Sequence, residues 1–139
     1  MRVIARTLLT LALTGCAGAS PAESVILTAP VDSLVTLRLG QIVQIAGGPL
    51  RIRFEGVTSD SRCPTNVVCV WEGDATVHLR VAAGEGEGSA VELHTSLDPR
   101  SHVTAGYRIT LEELGPAPQS GAPISQAGYS AGIRVISVP

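Results

Sequence analysis

Apolar and polar residues alternate with a period of two over most of the chain after Glu23. The clearest alternating runs lie in residues 35–39, 50–54, 77–81 and 108–111. This alternation is typical of strands that turn one face to a core and the other to water. No stretch has the 3.6-residue period of an amphipathic helix. The pattern predicts a single all-β domain over residues 25–139, an antiparallel β-sandwich or a barrel of about eight short strands.

One strand pairing can be predicted from the residues that flank the glycine-rich stretch 84–88. With Gly86 at the centre of the loop, two apolar pairs face inward, Leu79 with Leu93 and Val81 with Val91. In the same register two polar pairs face outward, Arg80 with Glu92 and His78 with His94. A slip of one residue would turn both sets of side chains to the wrong face.

Residues 1–15 have the pattern of a lipoprotein signal peptide. Arg2 and Arg6 precede an uncharged, mostly apolar run over residues 7–13. This run is too short to cross a bilayer and has the length of a signal-peptide apolar region. It ends in Leu13-Thr14-Gly15-Cys16, which resembles the bacterial lipobox. The resemblance implies that Cys16 is the lipidation site, that the signal is cut before it and that the new amino terminus is acylated.

Two other interpretations of this segment stay open. Ala17-Gly18-Ala19 resembles an ordinary cleavage site, and cutting there would give a soluble exported protein without Cys16. Alternatively, Met1–Cys16 is a buried hydrophobic segment of the fold. In the lipoprotein interpretation residues 16–24 form a flexible tether, and the membrane is a partner through the lipid anchor. The absence of Asp at position 17 implies, by the same resemblance, the outer membrane with the protein facing the periplasm.

Charge and aromatic content narrow the choice of partners. The chain has 10 basic residues, all Arg, against 12 acidic ones, and only 3% of its residues are aromatic. We therefore expect no nucleic-acid binding, which needs a basic patch or an aromatic stacking surface. Five arginines fall at outward positions of the strands, where they either keep the sheet soluble or meet an acidic partner or glycan. They are Arg38, Arg51, Arg53, Arg80 and Arg134.

Cys63 and Cys69 remain once Cys16 is assigned to lipid. An oxidising compartment favours a disulfide between them, and the turn-forming residues 64–66 can bring the two sulfurs together. A zinc site would need two further ligands, and the C-x-x-C spacing of redox sites is absent. The sequence therefore predicts a structural disulfide.

Three histidines are candidate ligands for zinc or copper. Cross-strand imidazoles of His78 and His94 would supply two ligands, with His102 as a third. The alternative is that they are exposed histidines on the wet face of a sheet. We expect no cofactor otherwise.

Carboxylates and the single tryptophan surround the cysteine pair. Asp60, Glu72 and Asp74 would supply oxygens for calcium, or else cap turns and form ion pairs with Arg62. Trp71 either packs on the disulfide as part of the core or is an exposed contact for a partner.

Residues 60–73 carry a second resemblance. Asp60-Ser61-Arg62-Cys63-Pro64, followed after a short gap by C-x-W-x-G at residues 69–73, is similar to a signature of small uncharacterised bacterial lipoproteins. The resemblance implies envelope localisation and an all-β fold, and it supplies no catalytic residue.

The sequence contains no recognisable nucleophile, zinc-protease or phosphate-loop motif. We therefore predict a cell-envelope lipoprotein that is not an enzyme and that binds an envelope protein or glycan. The alternative is an envelope protein that binds a metal through His78 and His94.

Overall fold

The computed structural model describes residues 26–139, which form nine strands and one short 3-10 helix. The strands are β1 (Ile26–Ala29), β2 (Leu34–Arg38), β3 (Ile42–Ile45), β4 (Leu50–Asp60), β5 (Ala75–Ala83), β6 (Ser89–His94), β7 (Ser101–Thr104), β8 (Tyr107–Gly115) and β9 (Ser130–Ser137). The 3-10 helix covers Gln126–Gly128. The predicted signal peptide (1–15) and tether (16–24) lie outside the described residues.

The strands form two sheets, with the order β1-β3-β4-β5-β6 in one and β2-β9-β8-β7 in the other. The predicted all-β sandwich is therefore confirmed, with nine strands in place of about eight. One pairing departs from an antiparallel arrangement, since β1 runs parallel to β3.

The core lies between the sheets and follows the alternation of the sequence. The side chains of Leu50, Ile52 and Phe54 in β4 are fully buried. So are the side chains of Val77 and Leu79 in β5. The opposite sheet adds buried side chains from β2, β8 and β9, including Leu37, Ile109, Leu111 and Ile133. Within residues 26–139 no polar or charged side chain is fully buried, so hydrophobic burial holds the two layers together.

The predicted register of the β5–β6 hairpin is wrong by two residues. Leu79 lies opposite Val91, His78 opposite Glu92 and His94 opposite Thr76, while Arg80 lies opposite Ala90. A two-residue shift keeps every side chain on its predicted face, so alternation cannot distinguish the two registers. The turn decides between them. Gly88, at φ +77°, approaches the carbonyl of Val81 so closely that a Cβ would lie 2.5 Å from its oxygen.

The strand directions give the sandwich two distinct ends. β4 ends at Asp60 and β5 begins at Ala75, so the loop between them lies at one end. The segment that joins β8 to β9 lies at this end too, because it contacts the β4–β5 loop through Arg62 with Pro116 and through Thr65 with Pro118. The β5–β6 turn, which contains Glu85 and Glu87, lies at the opposite end. We call these the disulfide-loop end and the hairpin end.

Candidate functional site

The loop over residues 61–74 joins β4 to β5 and contains the disulfide. Cys63 and Cys69 are bonded, with their Cα atoms 6.0 Å apart, which confirms the predicted pairing. The bond closes a short ring in which Pro64, Thr65 and Asn66 form the turn.

A polar network fixes the base of this loop to the sandwich. Asp60 accepts hydrogen bonds from the guanidinium of Arg62, at 2.9 Å from Nε and 2.7 Å from Nη2. The same guanidinium donates to the carbonyls of Leu114 and Pro116, at the end of β8. Tyr129 donates its hydroxyl to Asp60 at 3.1 Å. The loop is therefore held by three separate segments of the chain.

The charge of Asp60 is stabilised by this network. Partial burial by itself would raise the pKa of Asp60, but the hydrogen bonds and positive charge of Arg62 outweigh it and hold the pKa below its ordinary value. The side chains of Arg62 and Asp60 are only 14% and 10% exposed. The predicted alternative for Asp60, an ion pair with Arg62, is the arrangement found.

Backbone contacts close the loop above this network. Cys63 N–H donates to the carbonyl of Glu72 at 2.7 Å, and Ser61 N–H donates to that of Asp74 at 2.7 Å. Gly73 lies between these contacts at φ +73°, where a Cβ would lie 1.9 Å from the carbonyl oxygen of Ser61. Only glycine fits there, because both the conformation and the space exclude a side chain.

The far side of the loop exposes four apolar side chains. Val68 and Val70 are 101% and 94% exposed, Trp71 is 79% exposed, and Val67 is exposed as well. We call these four residues the disulfide-loop tip. The interpretation of Trp71 as a core residue on the disulfide is therefore wrong, and its interpretation as an exposed contact is the one compatible with the fold. Aliphatic and indole groups in water are costly, so their concentration on one loop is characteristic of an interaction surface.

A second segment supports the tip from the side. Thr65 N–H donates to the carbonyl of Pro118 at 2.9 Å, and Ser120 N–H donates to the side-chain oxygen of Asn66 at 2.8 Å. The amide of Gln126 pairs with the backbone of Val57 in both directions, at 2.6 and 3.1 Å. No residue from 63 to 71 or from 115 to 128 is charged. These two segments of the disulfide-loop end therefore combine apolar side chains with neutral polar ones.

The histidines proposed as metal ligands are engaged with carboxylates. His94 Nδ1 lies 2.6 Å from Asp74, and His78 Nδ1 lies 3.7 Å from Glu92. The expected direct opposition of His78 and His94 is wrong, because His94 pairs with Thr76 and His78 with Glu92, two positions apart along the strands. Both still occupy the outer face of the five-stranded sheet.

Asp74 is an acceptor at the centre of a local network. Its carboxylate also accepts the backbone N–H groups of Ser96 and Leu97, at 2.9 and 3.3 Å. Burial would raise the pKa of Asp74, but the hydrogen bond with His94 and the two backbone donors lower it to about 2. The carboxylate thus ties the β6–β7 connection to the start of β5.

The other predicted metal ligands are dispersed. His102 lies in β7 of the four-stranded sheet, opposite Ile109, so it does not join His78 and His94 on their face. Of the calcium candidates, Asp60 and Asp74 are occupied as described and Glu72 is exposed. Within residues 26–139 no three His, Cys, Asp or Glu side chains are grouped so that they could hold a metal ion.

The outer face of the five-stranded sheet carries a second surface feature. An open cavity of about 430 Å³ is lined by Arg51, Arg53 and Arg80. Arg80 is paired with Glu55 at 2.7 Å, which replaces the predicted pair with Glu92. Arg51 donates to carbonyls of the β5–β6 turn. Two of the three guanidinium groups are therefore already used in holding the sheet and its turn.

The remaining outward arginines are arranged in the same way or lie free in solvent. Arg134 is paired with Glu112 and Asp32, and Arg38 is exposed. The outward arginines of the two sheets are thus mainly paired side chains on solvated sheet surfaces.

Sequence reasoning missed two features of the site. One is the contribution of Tyr129, which lies 69 residues from Asp60 in the chain. The other is the exposure of the valines at the tip. A signal for the second was present, because Val67, Val68 and Val70 do not alternate and lie between turn formers.

Comparisons with protein-family models, with curated proteins and with solved structures give no match for this chain. Among residues 26–139 there is no helix with the length and apolarity needed to cross a membrane.

Proposed function

We propose that this protein is an exported lipoprotein of the cell envelope, anchored through Cys16, whose β-sandwich is a binding module. It contacts its partner through the disulfide-loop tip. On this proposal the protein acts by binding and not by catalysis.

The observation that carries the proposal is the exposure of Val68, Val70 and Trp71 on a loop that is held in place. A mobile loop could turn such side chains inward, but here the disulfide and the Asp60–Arg62 pair fix the loop. Because the loop is already ordered, binding costs little conformational entropy. Exposed aromatic anchors on ordered loops are typical of contact surfaces.

The anchor is tested by the intact mass of the full chain purified from its native host. The expected mass is that of residues 16–139 carrying a diacylglyceryl group and an amide-linked acyl chain. A chain cut after Ala19, or one with its first fifteen residues intact and no lipid, would contradict the anchor.

The contact surface is tested by photo-crosslinking in living cells. A photoreactive residue replaces Val68 in one variant and Glu85, at the hairpin end, in the matched control. We expect adducts from position 68 in marked excess over position 85. Equal yields from both positions would contradict a contact at the tip, whatever the anchor test gives.

A further inference from the structure

We propose that the partner of the disulfide-loop tip is the lipid–water interface of the membrane that holds the anchor, so that Val67, Val68, Val70 and Trp71 insert as a second, non-covalent attachment. This inference rests on the proposed function, because it requires the chain to be anchored through Cys16. It names the partner of the surface described above.

The strand directions place the start of β1 toward the end of the sandwich that carries the tip. β1 runs from Ile26 away from the disulfide-loop end, because it is parallel to β3 and antiparallel to β4. The first residue of β1, Ile26, is therefore the end of that strand nearer the disulfide loop. Ile26 lies in the same cross-strand row as Arg53 and Arg80, because successive pairings across β1, β3, β4 and β5 connect them.

The distances allow the anchor and the tip to reach one bilayer. Beyond Arg53, β4 and β5 continue for five more paired positions to Asp60 and Ala75, which corresponds to about 17 Å. Ten residue steps separate Cys16 from Ile26, and fully extended they span at most about 35 Å. The tether is thus long enough to run past the end of the sandwich and let the tip rest on the membrane surface.

The chemistry of the tip suits this environment. Tryptophan is enriched at membrane interfaces, where the ring lies at the headgroup level, and aliphatic side chains insert beneath it. Charged groups are costly beneath the headgroups, and residues 63–71 and 115–128 contain none. Backbone hydrogen bonds of Ser61, Cys63 and Thr65 hold the base of the loop, so the tip meets the membrane as an ordered surface.

The distribution of charge favours an end-on orientation. Glu85 and Glu87 lie at the hairpin end, where an anionic membrane would repel them. The loops of the disulfide-loop end also carry charged side chains, among them Glu72, Asp98 and Arg100, beside the pairs of Asp60 with Arg62 and of Asp74 with His94. An acidic body that stands away from the membrane is therefore compatible with an uncharged tip, residues 67–71, that touches it.

The test uses Trp71 as a reporter, because it is the only tryptophan in the chain. The full chain is expressed in a bacterium that acylates lipoproteins, and the product is reconstituted into phosphatidylcholine vesicles with or without brominated acyl chains. We expect the brominated lipid to quench at least half of the Trp71 fluorescence. The matched control combines Trp71→Phe with Glu85→Trp, and its fluorescence should change little. The variant Val68→Asp should lower the quenching of Trp71 several-fold.

The outcomes separate this inference from the proposed function. If the protein floats with the vesicles but Trp71 is not quenched, or is quenched no more than the control, the inference is wrong and the anchor stands. If the protein does not float because Cys16 carries no lipid, both fail. Crosslinks from position 68 that join only protein, whether a second copy or another chain, would overturn the membrane contact and leave the binding module in place.

Discussion

Two loops that connect neighbouring antiparallel strands of one sheet differ sharply in construction. The β5–β6 turn is short and rich in glycine, and its exposed side chains include Glu85 and Glu87. The β4–β5 loop covers residues 61–74, contains a disulfide and exposes three valines and a tryptophan. The first has the composition of a turn that only reverses the chain. The second loop contains a disulfide and an ion pair that a simple chain reversal does not require.

The two loops differ in how many side-chain hydrogen bonds and ion pairs hold them to the sheet. Arg62, Asp60 and Tyr129 converge on the base of the β4–β5 loop, and Asp74 with His94 holds its exit. By contrast, the side chain that holds the β5–β6 turn is Arg51, which donates to two of its carbonyls. On our proposal, a loop that is fixed so firmly while its apolar side chains stay in water presents them to a partner.

The largest difference between the two loops in the free energy of unfolding is expected when one glycine in each is replaced. Gly73→Ala places a Cβ against the carbonyl of Ser61 at positive φ, so we expect a loss of about 3 kcal/mol in the free energy of unfolding. Gly86→Ala, at φ +126° with no neighbour within 4 Å, should lose only about 1 kcal/mol from backbone strain. Urea denaturation measures both. Equal losses would mean that the close approach at Gly73 does not constrain the loop.

Removal of the disulfide tests the rigidity of the tip. The double variant Cys63→Ser and Cys69→Ser should lose about 2 kcal/mol of stability, because the ring is short and the entropic gain from closing it is modest. Reduction of the parent protein by dithiothreitol should give the same loss. Hydrogen exchange should become faster in residues 63–71 and stay unchanged in residues 84–88. Unchanged exchange at the tip would show that Asp60 and Arg62 suffice to order it.

The pH dependence tests the exit of the β4–β5 loop. The pKa of Asp74 is lowered to about 2 from an ordinary value near 3.8, so the folded state binds this proton less readily than the unfolded state. Its contribution is complete above about pH 4 and is lost as the pH falls toward 2. Allowing for solvent screening, we expect it to be about 1 kcal/mol. Asp74→Asn should flatten the decline measured by denaturation between pH 4 and 2, and an unaltered slope would contradict this assignment.

The smallest effect on stability is expected at the tip itself. Val68→Ser and Glu85→Ser, one in each loop, should each change the free energy of unfolding by less than about 0.5 kcal/mol, because both side chains are exposed. Calorimetry of the two variants checks this. A loss of more than 1 kcal/mol for Val68→Ser would mean that the valine packs within the fold and is not held out for a partner.

Several elements were predictable because local chemistry decides them. The alternation of Leu50, Ile52 and Phe54 and that of Val77 and Leu79 identify strands and their inner faces, since the period of two is a property of the extended chain. The pairing of Cys63 with Cys69 follows from their proximity in sequence. Alternation does not determine register in steps of two residues. For this reason the sequence pattern predicts His78 opposite His94, whereas the structure pairs His78 with Glu92.

The candidate site was predictable only in part. Trp71 and the cysteines stand out in the sequence by type, but whether the indole faces the core or the solvent depends on how the loop leaves β4. That direction is set by the contacts of Arg62 with the carbonyls of Leu114 and Pro116, which lie more than fifty residues away in the chain. Contacts at such separations leave no local signature.

The sequence by itself determined the all-β class, the inward face of each main strand and the disulfide, because strand period and cysteine spacing act over a few residues. The tertiary structure alone decided the partners of Arg80, His94 and Asp60. It also decided that the valines and tryptophan beside the disulfide are exposed to solvent at the disulfide-loop end. These features depend on which strands become neighbours, and that is settled only when both sheets close on their common core.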